Sequence, residues 1–157
     1  MLLDHVEYIF SKASKRVYCI ILLKRAGIIC NDLVTVYCSL IRSVMEYCCP
    51  VWHPGLTGAE ASLLESIQKR VLNIIYPKMD YQQALKECGL QLLSDRRETL
   101  SRQFFKKTTN SEDKLNHLLN ERQYKYCTRN QKKFKQMRCC TDRFKNTFIP
   151  HALSNFQ

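Results

Sequence analysis

The sequence predicts an all-α protein: a small helical bundle of about five to six helices with a basic, largely irregular C-terminal tail. Three observations predict it. Apolar residues recur at three- and four-residue steps through successive segments, which is the period of one helix face. Glycine and proline number four each, so the few present punctuate the chain. After Asn120 the periodicity fades and Lys, Arg, Gln and Asn take over, interleaved with aromatics. The expected division is a helical domain over 1–119 and a tail, extended or partly disordered, over 120–157.

The first helix is expected over about Asp4–Ala26, with Val6, Ile9, Phe10, Ala13, Val17, Ile20, Ile21 and Leu23 on one face and Gly27 as its stop. Asn31 or Asp32 can cap a second helix that continues to about Tyr47. Its stripe is Leu33, Val36, Tyr37, Leu40, Ile41, Val44 and Met45. Pro50 and Pro54-Gly55 then enforce an irregular connection. Thr57-Gly58-Ala59-Glu60 has the spacing of a capping box, in which each end side chain reaches the other's backbone N–H. The third helix it starts runs to about Tyr76, before Pro77. Asp80 caps a short helix over Tyr81–Cys88, closed by Gly89. A fifth is expected over about Leu93–Thr108, and Asn110-Ser111-Glu112-Asp113 can cap a short turn through Leu119. In the tail, Phe144, Phe148, Ile149 and Leu153 form a candidate docking element.

The totals narrow the partners. The 157 residues are enough for one helical core, and the formal charge of +11 is unevenly spread. Residues 1–60 carry +1, residues 61–110 carry +4 and residues 111–157 carry +6. That gradient raises nucleic acid, or an anionic membrane surface, as a partner; a solubilising surface is the plain alternative. Nine cysteines, an odd number, sit mostly where a small hydrophobe would serve a helix. They fit free thiols in a reducing compartment, nuclear or cytoplasmic. Met1-Leu2-Leu3-Asp4-His5 does not read as a secretory leader. No segment approaches the roughly 18–20 apolar residues of a membrane span.

No enzymatic constellation emerges, and no catalytic residue is assigned. The carboxylates are scattered on helices near Lys or Arg, and the G-x-S-x-G, P-loop and His-Glu-x-x-His patterns are missing. Cys48-Cys49 with His53, and Cys127 with Cys139-Cys140 and His151, tempt a zinc reading. Adjacent cysteines diverge, however, and structural zinc sites bring ligands in pairs two to four residues apart, so no metal is expected. His5 and His117 read as surface or packed residues. Trp52, beside Tyr47 and His53, is either a stacking platform for a base or a structural anchor fixed by Pro50 and Pro54; the rigid turn favours the anchor. The basic clusters are Lys69-Arg70, Arg96-Arg97, Lys106-Lys107 and then Lys132, Lys133, Lys135 and Arg138. Each can contact phosphate without reading sequence. Tyr124, Tyr126 and Phe134 interleave with the last group, as in single-strand binders.

An ordered set of segments resembles the region downstream of the polymerase core in non-LTR (LINE-type) retrotransposon reverse transcriptases of the jockey and chicken-repeat kind. It includes Lys12-Ala13-Ser14-Lys15-Arg16-Val17-Tyr18, Leu23-Lys24-Arg25-Ala26-Gly27, Tyr37 to Arg42, Glu46-Tyr47 and Pro50-Val51-Trp52-His53-Pro54-Gly55-Leu56. Gln68-Lys69-Arg70, Ile74-Ile75, Tyr81-Gln82-Gln83-Ala84-Leu85, Arg96-Arg97-Glu98, Phe104-Phe105-Lys106-Lys107 and Arg143 to Pro150 continue it in order. No single motif is diagnostic. The resemblance implies the helical thumb, which grips a template–primer duplex, and the connection after it. It implies that the third helix, with Gln68, Lys69 and Arg70, lies along the nucleic-acid backbone. Fingers, palm, the Tyr/Phe-x-Asp-Asp turn and the Mg2+ site of such a polymerase would precede Met1.

The functional expectation is a non-enzymatic remnant that binds RNA or DNA weakly and without sequence preference. No cofactor is expected. The polymerase core such a thumb belongs to, or self-association, is the expected protein contact. The alternatives are a helical protein-interaction module and a pseudogene product without selected function.

Overall fold

Val6, Ile9, Ala13, Val17 and Ile20 recur on one side of a long first helix, and all five are buried. In the computed structural model, which describes residues 2–121 and 133–157, this helix is α1 (Leu2–Arg25). It ends in a Schellman arrangement. Ile28 N–H donates to Leu23 O at 3.2 Å and Gly27 N–H to Lys24 O at 3.1 Å, with Gly27 at φ +84°. Its N–H and C=O ladder is thus closed where sequence expected a stop.

The second helical stretch differs from expectation in two ways. α2 (Cys30–Val36) is preceded by Ile29 as its cap, with no side-chain cap bond, so neither Asn31 nor Asp32 takes that role. It runs on through a π-helical segment, Tyr37–Arg42, into α3 (Ser43–Glu46). Widening of the turn releases carbonyls from the regular ladder. The Arg16 guanidinium donates to a carbonyl of this segment, that of Leu40. Cys48, at φ +50°, makes the reversal into the short α4 (Cys49–Trp52) and a 3-10 turn over His53–Gly55. Pro50 is accommodated there because the first helical turn needs no N–H donor.

α5 (Gly58–Ile75) begins with the capping box that its sequence spells. Thr57 N–H donates to Glu60 Oε2 at 2.7 Å, and Glu60 N–H donates to Thr57 Oγ1 at 3.3 Å. Lys24 Nζ donates to Ile75 O at 3.0 Å, satisfying a carbonyl of the last turn with a cation suited to that end of the dipole. Asp80 caps α6 (Tyr81–Glu87) through Gln82 N–H, and Gly89 at φ +61° closes it by the same Schellman geometry. α7 (Leu93–Thr108) has the expected bounds. A 3-10 turn (Asn116–Leu118) follows, and then α8 (Asp142–Lys145) and α9 (Phe148–Asn155).

The fold is all-α: among the described residues there is no strand, only an isolated antiparallel bridge between Glu121 and Phe134. Among the described residues no helix is long and apolar enough to cross a membrane, and all eight described cysteines are free thiols.

The chain groups into two compact units. One comprises 1–49 and 56–97; the other comprises 50–55 and 98–157. This division differs from the expected break at residue 119. In the first unit α1 packs on α5, α2, the π-helical segment and α3, while α5 also carries α6. Leu72, Ala84 and Leu85 join there, flanked by Tyr76, Tyr81 and Leu90. In the second unit Phe105, Leu119, Phe134, Ala152 and Leu153 form one core, with Met137, Phe148, Ile149 and Phe156 against it. The described part of the tail therefore includes helix and buried residues as well as irregular backbone. Of the candidate docking element, Leu153 is buried in this core and Phe148 and Ile149 pack against it, while Phe144 is exposed.

Candidate nucleic-acid interface

The basic residues singled out on α5 and α7 can be placed by the phase of their helix. On α5 the buried positions are Glu60, Leu64, Ile67, Gln68, Val71, Leu72 and Ile75, a three–four pattern that includes Gln68. Lys69 and Arg70 fall outside it and are exposed. Lys69 Nζ stands 5.4 Å from the Tyr81 ring centroid, with its charge still open to solvent on one side.

Gln68 is not a backbone-contacting surface residue, contrary to expectation. Its side chain is fully buried and its amide is spent inside the first unit. Tyr37 Oη donates to Gln68 Oε1 at 2.7 Å. Gln68 Nε2 donates to Tyr81 Oη and to Gln91 O, each at 3.0 Å. Tyr81 Oη donates in turn to Glu65, whose second carboxylate oxygen accepts from Leu93 N–H at 3.0 Å. Burial pushes the Tyr37 and Tyr81 phenols well above their ordinary range, so both remain donors at any physiological pH. This network ties the π-helical segment, α5, α6 and the start of α7 by connected polar contacts.

Arg97 is likewise misplaced by the sequence reading. Leu93, Arg97, Ser101, Phe105 and Thr108 are the buried face of α7, at four- and three-residue steps. Burial lowers the Arg97 pKa, opposed first by the charge of Glu65. Its guanidinium is an internal counter-charge rather than a phosphate contact. Arg96 is only partly exposed and pairs with Glu46 at 3.5 Å, an oxygen that Arg42 Nε also reaches at 2.5 Å. Much of its charge is already answered.

Lys106 and Lys107 lie on the outward side of α7 and are exposed, as are Lys133, Lys135 and Arg138. Lys133 pairs at 3.2 Å with Glu121, both side chains well exposed, a contact of small worth in water. Phe134, expected to offer a stacking face, is buried against Phe105 at 6.5 Å between centroids. Lys132, with Tyr124, Tyr126 and Cys127, lies outside the described residues. Of the described basic residues singled out in the sequence, those exposed toward solvent are therefore Lys69 and Arg70 in the first unit, and Lys106, Lys107, Lys133, Lys135 and Arg138 in the second.

Trp52 is 4% exposed, so it presents no open face to a base. Pro50 and Pro54 are half-buried around it. Burial pushes the neighbouring Cys49 thiol up to about 11, which leaves it protonated and unsuited to nucleophilic work. Among the described residues no three His, Cys, Asp or Glu side chains converge as metal ligands.

Compared with known proteins, the chain matches no family model, no curated protein sequence and no solved structure.

Proposed function

We propose that this protein is a non-catalytic helical module that binds RNA or DNA without reading its sequence. The proposal keeps the resemblance to a reverse-transcriptase thumb as its origin. The observation that carries it is the phase of the cations: Lys69-Arg70 and Lys106-Lys107 stand in exposed pairs, while the carboxylates Glu46 and Glu65 of the first unit are committed to internal partners. A +11 chain with such unanswered pairs suits the delocalised charge of a phosphate backbone. Placement inside the cell, nuclear or cytoplasmic, belongs to the same proposal.

The test is fluorescence anisotropy of a labelled RNA–DNA duplex titrated with the full chain at increasing salt. Affinity should fall linearly on a log–log plot, and Lys106→Ala with Lys107→Ala should reduce the slope by about one to two units. Affinity indifferent to salt, or a slope unchanged by these substitutions, would sink the reading.

A second reading, a protein-interaction module, is favoured by exposed apolar side chains such as Ile29, which is 64% exposed. Size-exclusion chromatography with light scattering separates the two. An oligomer indifferent to nucleic acid supports the second; a monomer that binds duplex supports the first.

A further inference from the structure

α1 is packed along one side, and its opposite side is chemically distinctive. Tyr8, Ser11, Lys15, Tyr18 and Leu22 follow one another at alternating three- and four-residue steps, and all are exposed. The two rings are unusually open, Tyr8 at 60% and Tyr18 at 59%. Lys12, on the flank of this row, holds its ammonium 5.4 Å from the Tyr8 ring centroid. From Tyr8 to Ala26 the sequence contains Lys and Arg but no Asp or Glu. Two of those cations, Arg16 and Lys24, are committed to the Leu40 and Ile75 carbonyls. Lys12 and Lys15 are left between the two rings.

Along the helix axis, with Lys12 beside the row and Lys15 in it, the order is ring, cation, cation, ring. At a rise of about 1.5 Å per residue, its two tyrosines stand about 15 Å apart along the axis, a span for several nucleotides of one strand. Exposed rings accept bases by stacking, which requires bases that are not already stacked in a duplex, and the intervening ammonium groups neutralise phosphates. Two other occupants fit less well. A second copy would set Lys15, the midpoint of the row, against the same residue of its partner in an antiparallel pair. A lipid surface requires a continuous apolar face, which Ser11, Lys12 and Lys15 interrupt.

We propose that the outward face of α1 is a single-strand nucleic-acid site, in which Tyr8 and Tyr18 stack bases and Lys12 and Lys15 take phosphates. It rests on the reading of the protein as a nucleic-acid binder, and it uses a surface distinct from the cation pairs that carry that reading.

The experiment irradiates the full chain with an oligothymidine containing 5-bromouracil and maps the cross-linked peptides. Anisotropy is measured in parallel with the same strand and with a duplex. Cross-links should fall on the peptides holding Tyr8 or Tyr18. The pair Tyr8→Ala and Tyr18→Ala should weaken single-strand binding by at least about tenfold while leaving duplex binding within about twofold. Tyr8→Phe with Tyr18→Phe should restore it, because stacking uses the ring and not the hydroxyl. Circular dichroism of each variant reports folding, which exposed rings should not affect. Cross-links confined to the Lys106–Lys107 peptide, equal losses for strand and duplex, or competition by phosphatidylserine vesicles alone would overturn the α1 site and leave the salt-dependent duplex binding standing. A chain that binds neither strand nor duplex overturns both.

Discussion

Tyr37 and Gln68 should be energetically coupled in the folded state, and their coupling measures whether the buried network is real. Tyr37→Phe removes one hydroxyl and strands Gln68 Oε1, a buried acceptor, at a cost of about 1–2 kcal/mol. Gln68→Leu keeps volume but strands the Tyr37 hydroxyl, removes a donor to Tyr81 and leaves Gln91 O without that donor, at about 2–4 kcal/mol. In the double variant no Tyr37 hydroxyl remains to be stranded. The combined loss should therefore fall short of the sum by about 1 kcal/mol. Urea unfolding followed by far-ultraviolet circular dichroism gives all four stabilities. Additivity within about 0.3 kcal/mol would refute the network. The same cycle separates structure from binding. Gln68→Leu, assayed well below its unfolding transition, should leave duplex affinity unchanged, whereas Lys69→Ala with Arg70→Ala should lower it.

Thr57→Ala should cost about 1 kcal/mol by removing the Oγ1 that accepts from Glu60 N–H, and Thr57→Ser should be nearly neutral; equal melting temperatures for the wild type and Thr57→Ala would show that this half of the box contributes nothing. His151 has its pKa lowered from 6.5, by burial first, with Glu98 opposing. Because the folded pKa lies below the unfolded one, the unfolded chain binds the extra proton more readily. The His151 contribution is present above about pH 6.5 and is lost as pH falls through the folded value. Melting temperature should fall over that window, and His151→Gln should flatten the fall; an unchanged profile in the variant would remove His151 as its cause.

The capping box, both glycine stops and the bounds of α7 were legible because each is local, set by residues within one or two turns. The π-helical turn at Tyr37–Arg42 was not, since nothing in its composition differs from an ordinary amphipathic helix. The most instructive errors concern Gln68 and Arg97. Residue type pointed both outward, toward phosphate, yet helical phase pointed both inward. Gln68 lies four residues from Leu64 and from Leu72; Arg97 lies four from Leu93 and eight from Phe105. For both residues the helical phase, not the polarity of the side chain, matches the observed burial. What phase alone cannot supply is the partner that makes an inward polar group tolerable: Gln68 and Glu65 are remote from Gln91 and Leu93 along the chain and meet them only on folding. The same logic explains why the surviving cations matter. Lys69 follows Gln68 by one residue, and Lys106 follows Phe105 by one. A step of one residue turns a helix by about 100°, so each buried residue fixes the outward direction of the cation beside it. The core contacts that removed Gln68 and Arg97 from the candidate interface are therefore what hold Lys69 and Lys106 in it.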